Sequence, residues 1–343
     1  MRRATLPFGL DDRCTIAMKL RPIDPGRART RKLGTLSRIV AQDQVAASVA
    51  AGASVHEFLV ALPDTLAARD LRDLARAIAE TRRGRRTFLL MMGAHPLKVG
   101  LGPLICDLIR EGTLTAIATN GAAIIHDFEL AFAGRTSEDV AAELFDGSFG
   151  MAEETGAFLN GAAQIAAKEG RGLGEIVGRE IVHAKFKYRD ASIFAAAHTA
   201  GIAATVHVTL GADIIHMHPN ADGAAIGASS FADFHRLVAV VSGLARGVVL
   251  NLGSAVVMPE VFLKALNLAR NLGHKVNRFT AADMDFVRHY RPRMNVVERP
   301  TMGGGRGIML TGHHELMFPL LVAAIREAIA ETSRARKKRQ KNA

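Results

Sequence analysis

The sequence predicts an α/β fold, a doubly wound and mostly parallel Rossmann-like sheet with helices on both faces. Two observations support this prediction. Apolar runs of strand length alternate with segments of helical periodicity along most of the chain. The apolar runs are continuous, as in parallel strands that are covered on both faces. Because parallel neighbours are joined by right-handed helical crossovers, we expect one sheet built from βαβ units.

The elements of the first half follow in chain order. Helical periodicity begins near Leu36 and is strong over residues 66–81. A strand is predicted at 87–92, and a second apolar run begins at Leu114 and ends at the small polar tip Thr119, Asn120 and Gly121. Helices are predicted at 101–110, 137–144, 151–168 and 191–199.

The second half continues the alternation. Strands are predicted at 202–208, 247–252, 275–279 and 307–310, and helices at 231–245, 261–271 and 315–330. Residues 212–217 are compatible with a further strand. The connections are short, so residues 36–331 are predicted to form a single domain.

The positive charge is concentrated at the two ends of the chain. The formal net charge is +11, and residues 332–343 hold six basic residues without an acid, which leaves +5 for the rest. Residues 1–35 contain a second basic cluster. We predict that both ends are partly disordered and that the tail can contact a polyanion nonspecifically. With 5% aromatic residues and no Trp, base-stacking surfaces are scarce, which argues against nucleic-acid binding as the main function.

Several absences predict a cytoplasmic protein. The chain has no run of about 18 apolar residues, so no membrane-spanning helix is expected. Its first residues lack the apolar segment of a secretory signal. Cys14 and Cys106 are too few for a disulfide framework.

Small and polar residues stand at six predicted strand ends, which parallel strands bring to one edge. Such an edge suits a phosphate or a dinucleotide. The Gly-rich dinucleotide fingerprint is absent, and residues 303–307 precede a strand, so they are either a flexible loop or a ligand-contacting one. The residues at the six ends are His95; Thr119, Asn120 and Gly121; Gly211 with Asp213; Gly253 and Ser254; Thr280 and Ala281; and Gly312 with His313.

Histidines form the second signal. His207, Asp213, His216 and His218 fall within twelve residues, and His313 adds a further imidazole. On a strand, His216 and His218 would share a face, as metal ligands do. The alternatives are histidines that contact a ligand or act as acid or base, and histidines with a structural role.

Other candidates are fewer. Asp127 and Glu129 could bind ribose hydroxyls or cap a helix. Ser254 follows a glycine at a strand end, where a phosphate-binding serine is expected. Lys98 could reach the crevice or be a solvated loop residue. The sequence has no nucleophile elbow, no P-loop and no His-Glu-x-x-His motif.

Several segments between residues 88 and 329 resemble deoxyhypusine synthase, in the same order as in that family. The matching segments are 99–109, 119–127, 211–215, 253–257, 267–271, Thr280 and Ala281 with Asp285, Arg291 and Pro292, and 316–323. The last of these is close to the family's C-terminal Phe-Pro-Leu-Leu-Val-Ala helix.

The resemblance implies a homotetramer, a dimer of dimers, that binds NAD and acts on a polyamine. By motif position, NAD contacts would fall on Thr119, Asn120, Gly121, Gly253, Ser254, Thr280, Ala281 and Asp285. Asp213 would match an acidic residue on the polyamine side.

The chain departs from the family where its lysine chemistry takes place. The family's Lys-His pair is replaced by Met258 and Pro259, and residues 293–300, where the imine-forming lysine is expected, contain no lysine. An imine relay needs an unprotonated amine nucleophile. Arg288, Arg293 and Arg299 also make the pocket less suited to a polycation.

The sequence therefore predicts a deoxyhypusine-synthase-like, NAD-dependent transferase or oxidoreductase. Its substrate would be a small amine, polyamine or related metabolite, and its chemistry would be altered by the missing lysine. Asp213, His218 and His95 are the candidate acids and bases, and Asp127 and His313 are further candidates for cofactor contact. Two alternatives stay open: a metal-dependent enzyme using His207, Asp213, His216 or His218, and a non-catalytic nucleotide-binding oligomer.

Overall fold

The computed structural model describes residues 23–341, so residues 1–22, with Cys14 and the first residue of the basic N-terminal cluster, Arg21, lie outside it. The chain divides into two compact units, residues 1–42 and residues 43–343. The described part of the first unit contains the 3-10 turns Pro25–Arg27 and Leu33–Thr35, and all of its residues are exposed. The helical periodicity near Leu36 does not produce a helix there.

The second unit contains a six-stranded parallel sheet. Its strands are β1 (Phe88–Met92), β2 (Ala116–Asn120), β3 (Ala203–His207), β4 (Val248–Leu252), β5 (Thr280–Asp285) and β6 (Arg306–Thr311). Their order is β3-β2-β1-β4-β5-β6, and each pair is parallel. The chain therefore reverses its direction of winding between β1 and β4, and the carboxyl ends of all six strands share one edge.

Helices connect the strands. They are α1 (Val55–Ala61), α2 (Leu66–Arg83), α3 (His95–Lys98), α4 (Gly102–Arg110), α5 (Gly121–Ala133), α6 (Val140–Glu143), α7 (Glu153–Glu169), α8 (Leu173–Ala184), α9 (Ile193–Ala200), α10 (Gly223–Ser242), α11 (Val257–Asn271), α12 (Tyr290–Pro292), α13 (Arg299–Thr301) and α14 (His314–Lys341). A π-helical turn, Arg293–Glu298, joins α12 to α13.

The core lies on both faces of the sheet, because successive side chains of a strand point to opposite faces. Leu90 and Met92 of β1 pack into a large cluster with α2, α4, α5, α8, α9 and α14. Leu89 and Met91 pack into a second cluster with α10, α11 and the 290–301 segment. Burial of all five residues of β1 explains its uninterrupted apolar sequence. The predicted fold class, a doubly wound parallel sheet with helices on both faces, is confirmed.

One described helix, α10, is long and apolar enough to cross a membrane by length and composition. An 18-residue window of this 20-residue helix has a mean hydropathy of 1.2, and 39% of that window is buried within the molecule. This is weak evidence for a membrane-spanning helix, because core helices of soluble proteins meet the same criterion. Here α10 packs against β3, α7 and α11.

Two predicted strands are corrected. Residues 275–279 are not a strand; Val276 and Phe279 are buried in the second cluster from a loop, and β5 begins only at Thr280. Thr280 and Ala281 pair with Val248 and Val249 at the amino ends of the strands, so they are not at a carboxyl tip. Residues 212–217 form the 3-10 turn Ile214–Met217 after Asp213, not a strand.

Two helical predictions also differ from the structure. Residues 137–144 contain only the short helix α6. At the other end of the domain, α14 continues to Lys341, through most of the segment 332–343 that is predicted to be disordered. The backbone hydrogen bonds of the helix continue into that basic segment because it contains no Gly or Pro to end it.

Candidate functional site

The carboxyl edge of the sheet is rich in buried polar atoms that have no hydrogen-bonding partner within the protein. Such atoms are uncommon in native structures, and each one calls for a ligand, a water or a functional reason. Six of them belong to residues at or just beyond strand ends: Thr119 Oγ1, Asn120 Oδ1, Asp213 Oδ2, His216 Nε2, Asn251 Oδ1 and His314 Nδ1.

The junction of β2 and α5 has no loop. Asn120 is both the last residue of β2 and the N-cap of α5, and its side chain does not cap the helix. The carboxylate of Asp213 lies directly over the first turn, because a Cβ built on Gly121 would come within 2.0 Å of Asp213 Oδ2. Glycine is therefore required at position 121 by the neighbouring carboxylate. Asp213 is buried, and this burial raises the pKa of its carboxyl group to about 6.

A short turn holds Asp213 in this position. His216 Nδ1 accepts hydrogen bonds from the backbone N–H groups of Gly211 (3.1 Å) and Asp213 (3.3 Å). The ring proton must then be on Nε2, which is buried and has no partner. His216 thus positions the loop that carries Asp213.

A cavity of about 150 Å³ lies beside Asp213, along one face of α5. Four residues of α5 with helical spacing line it: Ala122, Ile125, His126 and Glu129. The other walls come from Lys98 of α3, from Ser137, Glu138, Val140 and Phe149, and from Ala212, Asp213 and Ile214. We call this space the α5 cavity.

A chain of hydrogen bonds runs along the α5 cavity. His126 Nδ1 lies 2.6 Å from Thr136 Oγ1, and that hydroxyl donates a hydrogen bond to Glu129 Oε2 at a distance of 2.5 Å. Because the hydroxyl proton is given to Glu129, Thr136 accepts from His126 Nδ1–H, and the lone pair of His126 is on Nε2. Glu129 Oε1 also accepts from Thr155 Oγ1 (3.3 Å).

The electrostatics of this chain favour a neutral imidazole. Burial, together with the nearby charge of Lys98, lowers the pKa of His126 to about 4. Burial and the neighbouring Glu138 raise the pKa of Glu129, although its hydrogen bond from Thr136 acts in the other direction. A histidine ordinarily has a higher pKa than a carboxyl group, and both shifts act against that order.

The loop after α5 is arranged around Glu129 and Glu138. Ser137 has a positive φ of 68°, which is uncommon outside glycine, and its backbone N–H bonds to Glu129. Glu138 Oε2 accepts from the N–H of Gly150 at 2.6 Å. The strained backbone of Ser137 thus serves to bring a donor to a buried carboxylate.

The reversal point between β1 and β4 is closely packed. A Cβ on Gly93 would lie 3.0 Å from the carbonyl oxygen of Gly253, and a Cβ on Gly253, which has a φ of 68°, would come within 2.5 Å of the ring of His314. His314 Nε2 donates to the carbonyl oxygen of Met284 (3.2 Å), so its unpartnered Nδ1 is the acceptor. Burial lowers the pKa of His314, which keeps the ring neutral.

Three rings form a partly exposed platform at this edge. Phe286 stacks on His313 with a centroid distance of 5.9 Å and an interplanar angle of 11°, and it contacts His95 at 5.8 Å. His95, Phe286 and His313 follow β1, β5 and β6 respectively and are exposed. We call them the ring platform. Such rings can stack on a planar heterocycle.

Beneath the platform, two acids of β5 are buried. Asn251 Nδ2 donates to Asp283 Oδ1 (2.8 Å) and to the carbonyl oxygen of Ser254 (2.9 Å). Burial raises the pKa of Asp283 to about 7. Asp285 Oδ1 accepts from the N–H of Phe286 (2.8 Å) and lies 3.6 Å from His314 Nε2.

The structure gives several predicted site residues a structural role instead. Asp127 points away from the edge and caps α9, accepting from Ser192 Oγ (2.5 Å) and from the N–H of Ile193 (2.8 Å). His218 Nε2 lies 2.9 Å from the carbonyl oxygen of Gly150, and its ring packs against Gly156 of α7. Neither side chain lines the α5 cavity.

Other predicted residues are near the edge but already engaged, or are far from it. Ser254 Oγ accepts from the N–H of Met258 in the first turn of α11 (3.2 Å). His207 Nε2 bonds to Thr205 Oγ1 (3.0 Å) at the end of β3. Thr280 and Ala281 start β5, so the prediction that they lie at a carboxyl tip of the sheet is wrong.

The histidine cluster does not assemble into a metal site. His207, His216 and His218 each bond to a different partner, as described above. Within residues 23–341, no three His, Cys, Asp or Glu side chains are placed to hold a metal ion. The spacing that suggests ligands on one strand face fails because residues 214–217 form a 3-10 turn.

The edge fits a dinucleotide in part. The ring platform offers a surface for a planar base. The space beside Gly93 and Gly253 is filled by the carbonyl oxygen of Gly253 and by the ring of His314. The phosphate contacts are less favourable, because α3 has four residues and the start of α5 is covered by Asp213.

Sequence reasoning missed the functional grouping of His126, Thr136 and Glu138. The spacing of His126 and Glu129, three residues apart after a strand tip, is a usable signal, since it places both on one helix face. Thr136 and Glu138 have no such signal, because a loop with a left-handed residue brings them to the cavity.

No protein-family model and no curated protein sequence matches the chain. Among solved structures, AgrE in a ternary complex with ornithine and NAD+ is similar, with a TM-score of 0.50 and 13% identity. The match covers 77% of this chain and 34% of AgrE. ArgZ, an arginine dihydrolase from cyanobacteria, has a TM-score of 0.45 and 14% identity over 75% of this chain. The chain spans only about a third of these two proteins, 31% in the case of ArgZ.

A protein from Entamoeba histolytica assigned as a deoxyhypusine synthase is also among the neighbours. Its TM-score is 0.45 and its identity 12%, with 80% of this chain and 93% of that chain covered. At 13% identity, the similarity to AgrE shows a shared fold. The comparisons do not establish a family.

Proposed function

We propose that this protein is a dinucleotide-dependent enzyme that acts on a small cationic amine held in the α5 cavity. The observation that carries the proposal is the grouping of Glu129, Glu138 and Asp213 around that cavity, at the carboxyl edge of a doubly wound sheet. Ligands of such sheets bind beyond the carboxyl ends of the strands.

The charge of the α5 cavity favours a cation. Three carboxylates and one lysine, Lys98, line it, while His126 is neutral near pH 7. A buried carboxylate such as Asp213, which has an unpartnered oxygen, is strongly stabilised when an ammonium group pairs with it. The volume of about 150 Å³ limits the substrate to a small molecule.

The cofactor assignment draws support from the fold and from AgrE, which shares it and binds NAD+ and ornithine. In this chain, the ring platform of His95, Phe286 and His313 would hold a planar base. NAD+ bound at such an edge supplies a hydride acceptor.

The residues of the chain have separate tasks in this proposal. Asp213 and Glu138 bind and orient the ammonium group, and the buried Ile125 and the half-buried Phe149 shield it from water. An amine must lose a proton before it can give up a hydride, and the side chain placed to take that proton is His126. No lysine-bound intermediate is required.

Titration calorimetry tests the proposal. We expect NAD+ to bind the full-length protein and ornithine or putrescine to bind more tightly when NAD+ is present. Asp213→Asn should weaken amine binding about tenfold or more, because it removes a charge-assisted contact, and leave NAD+ binding nearly unchanged. The matched control is Asp190→Asn, an exposed acid outside the cavity, which should bind both ligands normally.

The outcomes separate the two halves of the proposal. Binding of NAD+ without any amine would overturn the substrate class. Binding of amine without NAD+ would overturn the cofactor. If both bind and no NADH forms, the protein binds these ligands without oxidising the amine, which would overturn the proposed reaction.

A further inference from the structure

We propose that His126, Thr136 and Glu129 form a proton relay that leads from the α5 cavity to a buried carboxylate. In this relay, His126 Nε2 takes a proton from the bound molecule and Glu129 is where the proton comes to rest. The inference rests on the proposed function for its substrate, but the relay itself can be tested without one.

The geometry supplies two short links in series. The distances are 2.6 Å from His126 Nδ1 to Thr136 Oγ1 and 2.5 Å from Thr136 Oγ1 to Glu129 Oε2. His126 Nδ1 and Glu129 Oε2 are 4.0 Å apart, too far for a direct hydrogen bond. The hydroxyl of Thr136 is therefore the connection between ring and carboxylate.

The hydrogen-bond directions are those of a relay at rest. Thr136 donates to Glu129 and accepts from His126 Nδ1–H, so the lone pair on Nε2 is free for the cavity, which His126 lines. When an N–H bond of the bound ammonium breaks, its proton joins Nε2. The Nδ1 proton then passes to Thr136 Oγ1, and the hydroxyl proton passes to Glu129 Oε2.

The products of this transfer are a neutral amine, a neutral histidine of the other tautomer, an intact threonine and a protonated glutamic acid. No oxidant or further reactant is needed. His126 accepts the proton and Glu129 keeps it. This division is favourable because burial and the charge of Lys98 destabilise a positively charged His126.

The groups that face the relay explain why the proton stops at Glu129. Lys98 opposes a charge on His126, and Glu138 favours protonation of Glu129. Thr155 Oγ1 and the N–H of Ser137 act in the opposite sense by stabilising the carboxylate. Asp213 lies across the cavity, where it holds the ammonium group.

Acylation by diethyl pyrocarbonate measures the relay directly. Nε2 attacks a carbonyl carbon of the reagent and displaces ethyl carbonate, which decomposes to carbon dioxide and ethanol as it takes up a proton, while the ring loses its Nδ1 proton into the relay. We expect His126 of the full-length protein to react readily, as located by peptide mass spectrometry. Thr136→Val and Glu129→Gln should slow this reaction at least about tenfold, since general-base assistance of this kind is worth about 10²–10⁴. Thr136→Ser, which keeps the hydroxyl, should react like the wild type.

Exposed His313 is the internal standard, because its ring lies outside the cavity and its rate should be the same in every variant. Nitrogen-15 NMR of the histidine rings adds a second readout: His126 should be a neutral Nδ1–H tautomer in the wild type and in Thr136→Ser, and should change in Thr136→Val. Equal acylation rates in the wild type and Thr136→Val, or an Nε2–H tautomer in the wild type, would overturn the relay. These readouts need no substrate, so failure of NAD+ or amine binding is a separate result.

Discussion

At the scale of single residues, the pair Gly121 and Asp213 shows how a backbone position and a side chain depend on each other. The carboxylate occupies the space in which any other residue at position 121 would place its Cβ. Conversely, Asp213 can lie this close to the first turn of α5 only because that space is empty. The pair fixes one wall of the α5 cavity.

Gly121→Ala should therefore destabilise the protein by about 1–3 kcal/mol, the usual cost of overpacking a buried site. In an Asp213→Ala background the same substitution should cost little, since the clashing carboxylate is gone. Urea unfolding of the two single variants and the double variant measures the difference.

The matched control is Gly161→Ala in α7, where an added Cβ meets nothing within 4 Å. That variant should be stabilised by about 0.5–1 kcal/mol, because alanine is the better helix former. A cost for Gly121→Ala that is the same with and without Asp213 would contradict the clash.

At the scale of elements, the start of α9 uses one acid of α5 as its cap and leaves another free to line the α5 cavity. Asp127 and Glu129 are two residues apart on α5, yet they face opposite sides of it. Asp127 points to α9 and satisfies Ser192 and Ile193 there, while Glu129 lines the cavity. The helical period of 3.6 residues makes this division unavoidable.

Asp127→Ala should lower the free energy of unfolding by about 1–3 kcal/mol, because two buried donors at the start of α9 lose their acceptor. Urea denaturation is the measurement. Ligand binding in the α5 cavity should persist in the folded variant, and its loss would indicate that Asp127 contacts the ligand after all.

At the C-terminal end of α8, a single substitution is expected to stabilise the protein. Lys185 caps this helix in the left-handed conformation with a φ of 54°, and it is exposed. Glycine adopts this conformation without strain. Lys185→Gly should therefore raise stability by about 0.5–1 kcal/mol after the entropic cost of glycine is included. A lower melting temperature would show that the lysine side chain makes a compensating contact.

At the scale of the whole molecule, several buried acids make stability depend on pH. Burial raises the pKa of Asp283 from 3.8 to about 7, and the folded state therefore binds its proton more tightly than the unfolded state. For such a group, stability is fully present below the unfolded pKa and is lost as the pH rises through the folded pKa.

Asp283→Asn removes this dependence while an amide oxygen can still accept from Asn251. The stability of the wild type relative to the variant should increase as the pH falls from about 7 to about 4. Chemical denaturation across that range is the measurement, and exposed Asp190→Asn should show no such trend. A constant difference between the wild type and Asp283→Asn would mean that Asp283 ionises normally.

The sequence predicts β1 and β4 well because these strands are buried on both faces and are almost entirely apolar. It fails where apolar residues are buried from a loop, as Val276 and Phe279 are, since burial alone does not distinguish a loop from a strand. This error displaced β5 and put Thr280 and Ala281 at the wrong end of the sheet.

The site is predictable only in part, because a strand tip identifies an edge and not the side chains that meet there. Asp213 is singled out by its place after β3, and the structure places its side chain in the wall of the α5 cavity. His218 is not part of the cavity, because the turn at 214–217 directs it to α7. A homotetramer, a cytoplasmic location and polyanion contact by the basic tail stay predictions.

The direct passage of β2 into α5 has a consequence for how a ligand enters. Helix α5 is anchored along its length. It starts directly at the end of β2, Asp127 bonds to the start of α9, and the glycine at its C-terminus, Gly134, packs against Tyr188. The opposite wall, residues 135–149, is mostly exposed, and Phe145 is 98% exposed. We expect this wall to be the moving one, so that the rate of ligand release follows its opening and a crosslink between 135–149 and α3 would trap the ligand inside.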